Sequence, residues 1–202
     1  MNKIILDLCG GTGAWSKPYK DAGYDVRNIT LPDFDVRTYM PPENVYGILS
    51  APPCTEFSIA KDHKLNRDLS QGMEIVDACI KIIESCHPKL FAIENPVGYL
   101  KIFLGEPQYI FQPWYFGDGW TKRTMLWGRF NIPKREYYKW EDVPKIKGLY
   151  IRPGRGTPSI AFNHKNHKRF IKSFDSFRVN TDADFRAIIP QGFTRAFFEA
   201  NP

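Results

Sequence analysis

The sequence has no long apolar run: its longest are a handful of residues, such as Leu90-Phe91-Ala92-Ile93, too short for a membrane-spanning helix. It has 4 cysteines, with no C-x-x-C pair among them, and 4 histidines. Neither a disulfide framework nor a structural zinc site is expected from these, and the thiols are read as free. Internal repeats and low-complexity tracts are absent, which excludes solenoid and fibrous architectures. The opening stretch turns acidic at Asp7 after three apolar residues, so no signal peptide is expected and the chain is read as soluble and cytoplasmic.

What is present is a globular composition at one-domain length. The 202 residues are 43% hydrophobic and 15% aromatic, far from a disordered chain. The net charge of +6 conceals an asymmetry. Residues 1–120 carry 11 Lys/Arg against 15 Asp/Glu, residues 121–178 carry 15 against 4, and residues 179–202 carry 2 against 3. One contiguous stretch therefore holds the whole positive excess, interleaved with Tyr, Trp and Phe. Such a mixture suits a polyanion, with charge for phosphates and rings for bases, or else forms a solvated basic face.

Local patterns point to an α/β fold. Lys3–Leu8 reads as a strand, followed by Cys9-Gly10-Gly11-Thr12-Gly13, a helix over Ala14–Ala22 and a strand over Tyr24–Leu31. That order opens a Rossmann-like fold. Tyr46–Ser50 reads as a buried strand ending in Ala51-Pro52-Pro53-Cys54, and Lys89–Glu94 as another running into Asn95-Pro96. Between them Asp68–Cys86 has helical periodicity, with Met73, Val76, Cys79, Ile80, Ile83 and Cys86 or His87 on one face and Pro88 as the stop. Further strands are expected near Tyr109–Tyr115 and Arg123–Trp127, and helices over Asp182–Ile188 and Phe193–Ala200. From about 131 to 180 the periodicity fails.

Ligands of open α/β sheets bind beyond the carboxyl ends of the strands. Three expected strands end in unusual chemistry: the glycine loop at 10–13, Pro-Pro-Cys at 52–54 and Glu-Asn-Pro at 94–96. In a parallel sheet these loops meet at one rim. Prolines on a rigid turn would aim Cys54 as a nucleophile, with nearby helix N–H groups favouring its thiolate. Glu94, at the edge of an apolar strand, is placed to have its acidity weakened and to donate a proton, or to cap the loop. Cys79 and Cys86 share an apolar helix face and are read as core; Cys9 packs there too or touches a ligand at the glycine loop.

Asp7-Leu8-Cys9-Gly10-Gly11-Thr12-Gly13, Ala51-Pro52-Pro53-Cys54 and Glu94-Asn95-Pro96 resemble the first, fourth and sixth motifs of the cytosine-C5 DNA methyltransferases. Phe116-Gly117 with Lys122–Gly128 resembles a shortened eighth motif, and Ser50–Ser58 resembles small stand-alone members from bacteriophage genomes. The likeness spans about residues 3–128, with a fainter echo near Arg186–Pro190. It implies a Rossmann-like class I methyltransferase fold, a mostly parallel sheet with helices on both faces. It also implies methyl transfer from S-adenosylmethionine to C5 of cytosine in DNA, the base being extruded or already single-stranded. Cys54 would add to C6 of the ring, Glu94 would hold N3 and the exocyclic amine, and Arg123 would contact O2 or a phosphate. The cofactor residues implied are Asp7, Cys9, Gly10, Gly11, Thr12, Gly13 and Pro52, with Asp35 on the adenine amine.

Four positions depart from the family pattern: Thr55 replaces a common glutamine, Pro96 a valine, Thr121 a partner arginine, and the second strand ends Asn28-Ile29-Thr30-Leu31 without the ribose-binding acid unless Asp33 supplies it. Selective members insert a large recognition region after the arginine motif. Here the resemblance divides one compact domain into a catalytic core at 1–128, a reduced basic recognition segment at 129–180 and closing helices at 181–202. Lys122, Arg152, Arg155, His164, Lys165, Lys168 and Arg169 are the expected nucleic-acid contacts. Three alternatives are a donor other than S-adenosylmethionine, a catalytically silent nucleic-acid-binding descendant, and an amino-methyltransferase. The last places an aromatic where Cys54 stands and needs no thiol. A nicotinamide enzyme would need a fuller glycine fingerprint, and His164 with His167 lacks partners for a metal.

Overall fold

In a computed structural model, residues 3–59, 66–160, 170–177, 179 and 181–202 are described. Four strands form the parallel half of a six-stranded sheet: β1 (Ile4–Leu8), β2 (Asp25–Ile29), β3 (Val45–Ser50) and β4 (Leu90–Pro96). Two more, β5 (Tyr109–Phe111) and β6 (Thr124–Arg129), complete it in the order β2-β1-β3-β4-β6-β5. The expected α/β architecture with a mostly parallel sheet is present, β6 alone running against the other five strands. β6 runs antiparallel to both β4 and β5, so residues entering β6 arrive at the rim where β4 ends, with Pro96 opposite Thr124.

The inner strands are buried on both faces, which is why they read as near-continuous apolar runs. Alternate residues divide between two cores. Ile5, Leu49 and Ala92 face one side, packed by Trp15, Phe193 and Phe197, while Leu6, Ile48 and Ile93 face the other. That second side is covered by α2 (Leu69–Cys86), through Val76, Cys79, Ile82 and Ile83. The centre of its stripe agrees with the sequence period, whereas Met73, Ile80 and Cys86 are only half-buried and His87 is exposed. Asp68 caps the helix by accepting from the Gln71 N–H at 2.9 Å, and His87 ends it in a left-handed conformation before Pro88.

On the first side, α1 is confined to Lys17–Asp21 rather than Ala14–Ala22. Pro18 lacks an N–H and fits only the first helical turn, so residues 14–16 remain a turn. The strand at Tyr109 is likewise cut at Phe111, because Pro113 opens a 3-10 turn over Pro113–Phe116. A short α3 (Lys101–Leu104), unmarked in the sequence pattern, follows β4. Two C-terminal helices, α4 (Asp182–Ala187) and α5 (Gln191–Ala200), close the fold. α5 stacks Phe193 on Phe111 with ring centroids 3.9 Å apart, and Asn201 ties the C-terminus to Asn131 and, through its carbonyl, to the Tyr19 hydroxyl at 2.8 Å. Truncating a ring packed like Phe193 costs about 3–5 kcal/mol.

The irregular basic segment carries a third apolar cluster. Leu149, Ile160, Ile171 and Phe174 pack with Ala14 and Trp120 from the core and Phe185 and Ile188 from around α4. It is further attached at Thr121, whose N–H donates to the Pro158 carbonyl at 2.8 Å and whose carbonyl accepts from Ile160 at 3.3 Å. No helix among the described residues is long and apolar enough to cross a membrane.

Candidate active site

Because β1, β3 and β4 are parallel neighbours in register, with Leu8 opposite Ser50 and Ser50 opposite Ile93, their trailing loops emerge side by side. The convergence expected from the sequence is the observed geometry. Two contacts fix it. Asn95 donates its side-chain N–H to the Pro52 carbonyl at 3.0 Å, and the Tyr99 N–H donates to the Phe57 carbonyl at 2.8 Å. The second approach requires glycine at 98, where a Cβ would run into the Phe57 carbonyl.

Cys54 lies half-buried on the turn after β3, and its carbonyl accepts from the N–H groups of Phe57 and Ser58 at 3.0 and 2.8 Å. α2 begins at Leu69, and its N-terminus lies against the same turn, the Asp68 N–H donating to Glu56 Oε2 at 2.7 Å. Burial raises the Cys54 thiol above its ordinary range, Lys122 opposes that, the Glu94 charge adds to it, and Arg186 from α4 lowers it again. Two cations thus oppose the rise, and burial still holds the thiol above its ordinary range.

Glu94 is buried within β4, and burial pushes its carboxyl up against the opposing charge of Lys122. The Lys122 Nζ stands 3.9 Å from Glu94 Oε1, with the two side chains 14% and 7% exposed. Glu94 Oε1 has no hydrogen-bond partner although it is sealed from solvent. A buried acceptor left bare costs free energy, and such groups concentrate where a ligand completes them. Arg123, the neighbouring residue, is exposed, and its backbone carbonyl accepts from Val97 at 3.0 Å.

The glycine loop sits beside this pocket. Asp7 is fully buried under it, accepting from the Ser16 hydroxyl at 2.5 Å, and burial pushes its carboxyl up to about 6 despite that bond. Gly10 lies so close to the Asp7 carboxyl that a side chain there would displace it. Asn28, near the end of β2, donates to the Gly11 carbonyl at 3.0 Å and leaves its own Oδ1 buried without a partner, as is Asp7 Oδ1. The expected cofactor residues therefore divide. Gly10 to Gly13 and Thr12 form the loop; Pro52 is buried beneath the rim. The Cys9 sulfur lies 4.0 Å from that of Cys79, on the side of the sheet that α2 covers. Asp35 is gripped by Arg37 through bonds of 2.6–3.1 Å, which hold its carboxyl down at about 2. Asp33 is exposed.

Of the expected nucleic-acid contacts, Arg152 and Arg155 are exposed on a turn of the basic segment. His164, Lys165, Lys168 and Arg169, with His167, fall outside the described residues. Lys122 differs from the two arginines: its side chain is 14% exposed and faces Glu94. Sequence reasoning missed its place, and also Asn28, Ser16, Asn95 and Arg186. The one available signal was the strand alternation that turns Lys122 opposite to Arg123. Among the described residues no three His, Cys, Asp or Glu side chains converge as a metal site.

The model of the C-5 cytosine-specific DNA methylase family matches residues 16–102. A "Probable DNA (cytosine-5)-methyltransferase" of Frog virus 3 (isolate Goorha) is 28% identical over 147 residues, covering 61% of this chain and 69% of the viral protein. The type II methyltransferase M.DdeI of Desulfomicrobium norvegicum is 27% identical over 132 residues, covering 52% of this chain and 31% of that enzyme. A solved structure described as a "putative DNA modification methyltransferase encoded within prophage" (E. coli) overlays at a TM-score of 0.46 with 14% identity, covering 75% of this chain and 56% of that one.

Proposed function

We propose that this chain, similar to the C-5 cytosine-specific DNA methylases over residues 16–102 and to a viral relative over 147 residues, methylates C5 of cytosine in DNA through a covalent Cys54 adduct, with S-adenosylmethionine as donor. The single observation that carries this reading is the bare, buried Glu94 Oε1 beside Lys122 and within electrostatic reach of Cys54. Cytosine C5 is a poor nucleophile. Addition of the Cys54 thiolate to C6, with Glu94 donating a proton or hydrogen bond at N3, places an electron pair at C5. That pair takes up the methyl group; loss of the C5 proton and departure of the Cys54 sulfur then restore the aromatic ring. A carboxyl whose acidity burial weakens is better suited to act as a proton donor.

The residues around the glycine loop fit the donor. The loop leaves open space at Gly11, and two buried acceptors beneath it, Asp7 Oδ1 and Asn28 Oδ1, lack partners. Gly10 to Gly13 with Asn28 would hold the donor, Asn28 standing in for the missing acid at the end of the second strand. Asp35 would take the adenine amine, Arg37 keeping its carboxylate ionised. When bound, S-adenosylmethionine supplies an electrophilic methyl group. Arg123 is exposed next to Lys122 in the chain, and would meet the base or a flanking phosphate. The basic segment, including Arg152 and Arg155, would bind the DNA backbone with short or loose sequence preference.

The test is covalent trapping. A DNA oligonucleotide with 5-fluorocytosine in its sites blocks loss of the C5 substituent, so with S-adenosylmethionine it is expected to yield a denaturation-resistant adduct that Cys54→Ala abolishes. Normal DNA binding with no adduct would refute the reading.

A further inference from the structure

Lys122 and Arg123 are adjacent basic residues at the entrance to β6, and the fold treats them oppositely. Arg123 is exposed, whereas the Lys122 side chain is 14% exposed and carries its ammonium to within 3.9 Å of the Glu94 carboxyl. Its backbone is held on each side. The Lys122 N–H donates to Gln112 Oε1 at 3.1 Å, its carbonyl accepts from the Thr124 hydroxyl at 2.8 Å, and Thr121 before it is pinned to Pro158. A lysine that contacts phosphate keeps a mobile ammonium in water; this one is immobilised and largely withdrawn from it. An ammonium in such a place needs a counter-charge, and Glu94 Oε1, which has no hydrogen-bond partner, is the group it faces.

We propose that Lys122 is a positioning residue of the catalytic centre, whose ammonium orients the Glu94 carboxyl and stabilises the Cys54 thiolate, rather than a contact to DNA phosphate. This deepens the functional reading above and rests on it for the roles of Cys54 and Glu94. The charged groups facing the thiol are Lys122 from the approach to β6, Glu94 from β4 and Arg186 from α4. Lys122 is the stronger of the two cations acting on it, and it is also the cation that opposes the burial of Glu94. One ammonium thereby faces two reacting groups, opposing the effect of burial on the thiol and on the carboxyl alike.

The experiment follows alkylation of Cys54 by iodoacetamide in the full chain without DNA, between about pH 6 and 10, read by the mass of the Cys54 peptide. In Lys122→Met the midpoint is expected to rise by about one pH unit and the rate below it to fall about tenfold. Lys122→Arg is expected to restore the wild-type profile. Lys122→Gln gives the same comparison should the methionine variant not fold. Coincident profiles for wild type and the neutral variant would overturn the proposal. The salt dependence of binding to a 20-bp duplex adds an independent reading. An unchanged slope in Lys122→Met supports the proposal, and a slope shallower by about one counter-ion assigns the lysine to a phosphate and overturns it. A shifted alkylation profile in a wild-type protein that forms no 5-fluorocytosine adduct would refute the methyltransferase reading while leaving the effect of Lys122 on the thiol established.

Discussion

Asp118 gives a sharp test of the closing helix. It is buried below the N-terminus of α5, where Oδ2 accepts from the Gly192 N–H at 3.0 Å, and burial pushes its carboxyl up from 3.8 to about 7 against that bond and the charge of Arg195. The folded state therefore holds this proton more tightly than the unfolded chain does. The stability linked to it is complete below about pH 4, falls as pH rises toward 7, and then levels off. At about 1.36 kcal/mol for each pH unit between 3.8 and 7, the linked stability amounts to up to about 4 kcal/mol, more than half of it lost between pH 5 and pH 8. Asp118→Asn keeps an oxygen for Gly192 and removes the titration. In thermal melts across about pH 5–8.5, the variant is expected to gain on the wild type steadily as pH rises, by several degrees at the alkaline end. Parallel curves for the two proteins would refute the argument. A loss of stability in the variant that is constant with pH would show that only the hydrogen bond matters.

Glu94→Gln is expected to fold and bind DNA but to lower methyl transfer by about 100-fold or more, because an amide cannot give a proton to the ring; a radiolabelled methyl assay measures it. Arg152→Ala with Arg155→Ala is expected to weaken DNA binding at low salt and to make the slope of log K against log salt shallower by about two, without altering the Cys54 alkylation profile.

Those parts of the fold written as periodic patterns are legible in the sequence. α2 carries its apolar stripe, its Asp68 cap and its Pro88 stop within one continuous stretch. The strands ending at Ser50 and Glu94 are short apolar runs closed abruptly by polar chemistry. Their trailing loops converge because neighbouring strands are parallel, which makes Cys54 and Glu94 readable as partners from the chain alone. The direction of β6 is not legible, since alternation is the same read either way along a strand. The third apolar cluster is not legible either: Trp120, Leu149, Ile160 and Phe174 arrive singly from irregular backbone, with no period to announce them. Lys122 and Arg123 separate only where burial shows which side each faces; in sequence the lysine is one more residue of the basic surface. Asn28 is hidden because the family pattern directs attention to an acid there, while its bond to the Gly11 carbonyl emerges only in the fold.

The join at Thr121 sets a rule for anyone who would re-engineer this protein. The basic segment is not a cassette to be exchanged anywhere between 129 and 180, because Pro158 and Ile160 form the short backbone splice that holds the residue preceding Lys122. Grafts with both cuts inside 130–157 that keep Leu149 in the third apolar cluster leave that splice intact, and are expected to alter DNA binding without altering Cys54 alkylation. Replacing 158–160 with unrelated sequence removes the contacts that hold Thr121, and the alkylation profile of Cys54 is then expected to change together with DNA binding.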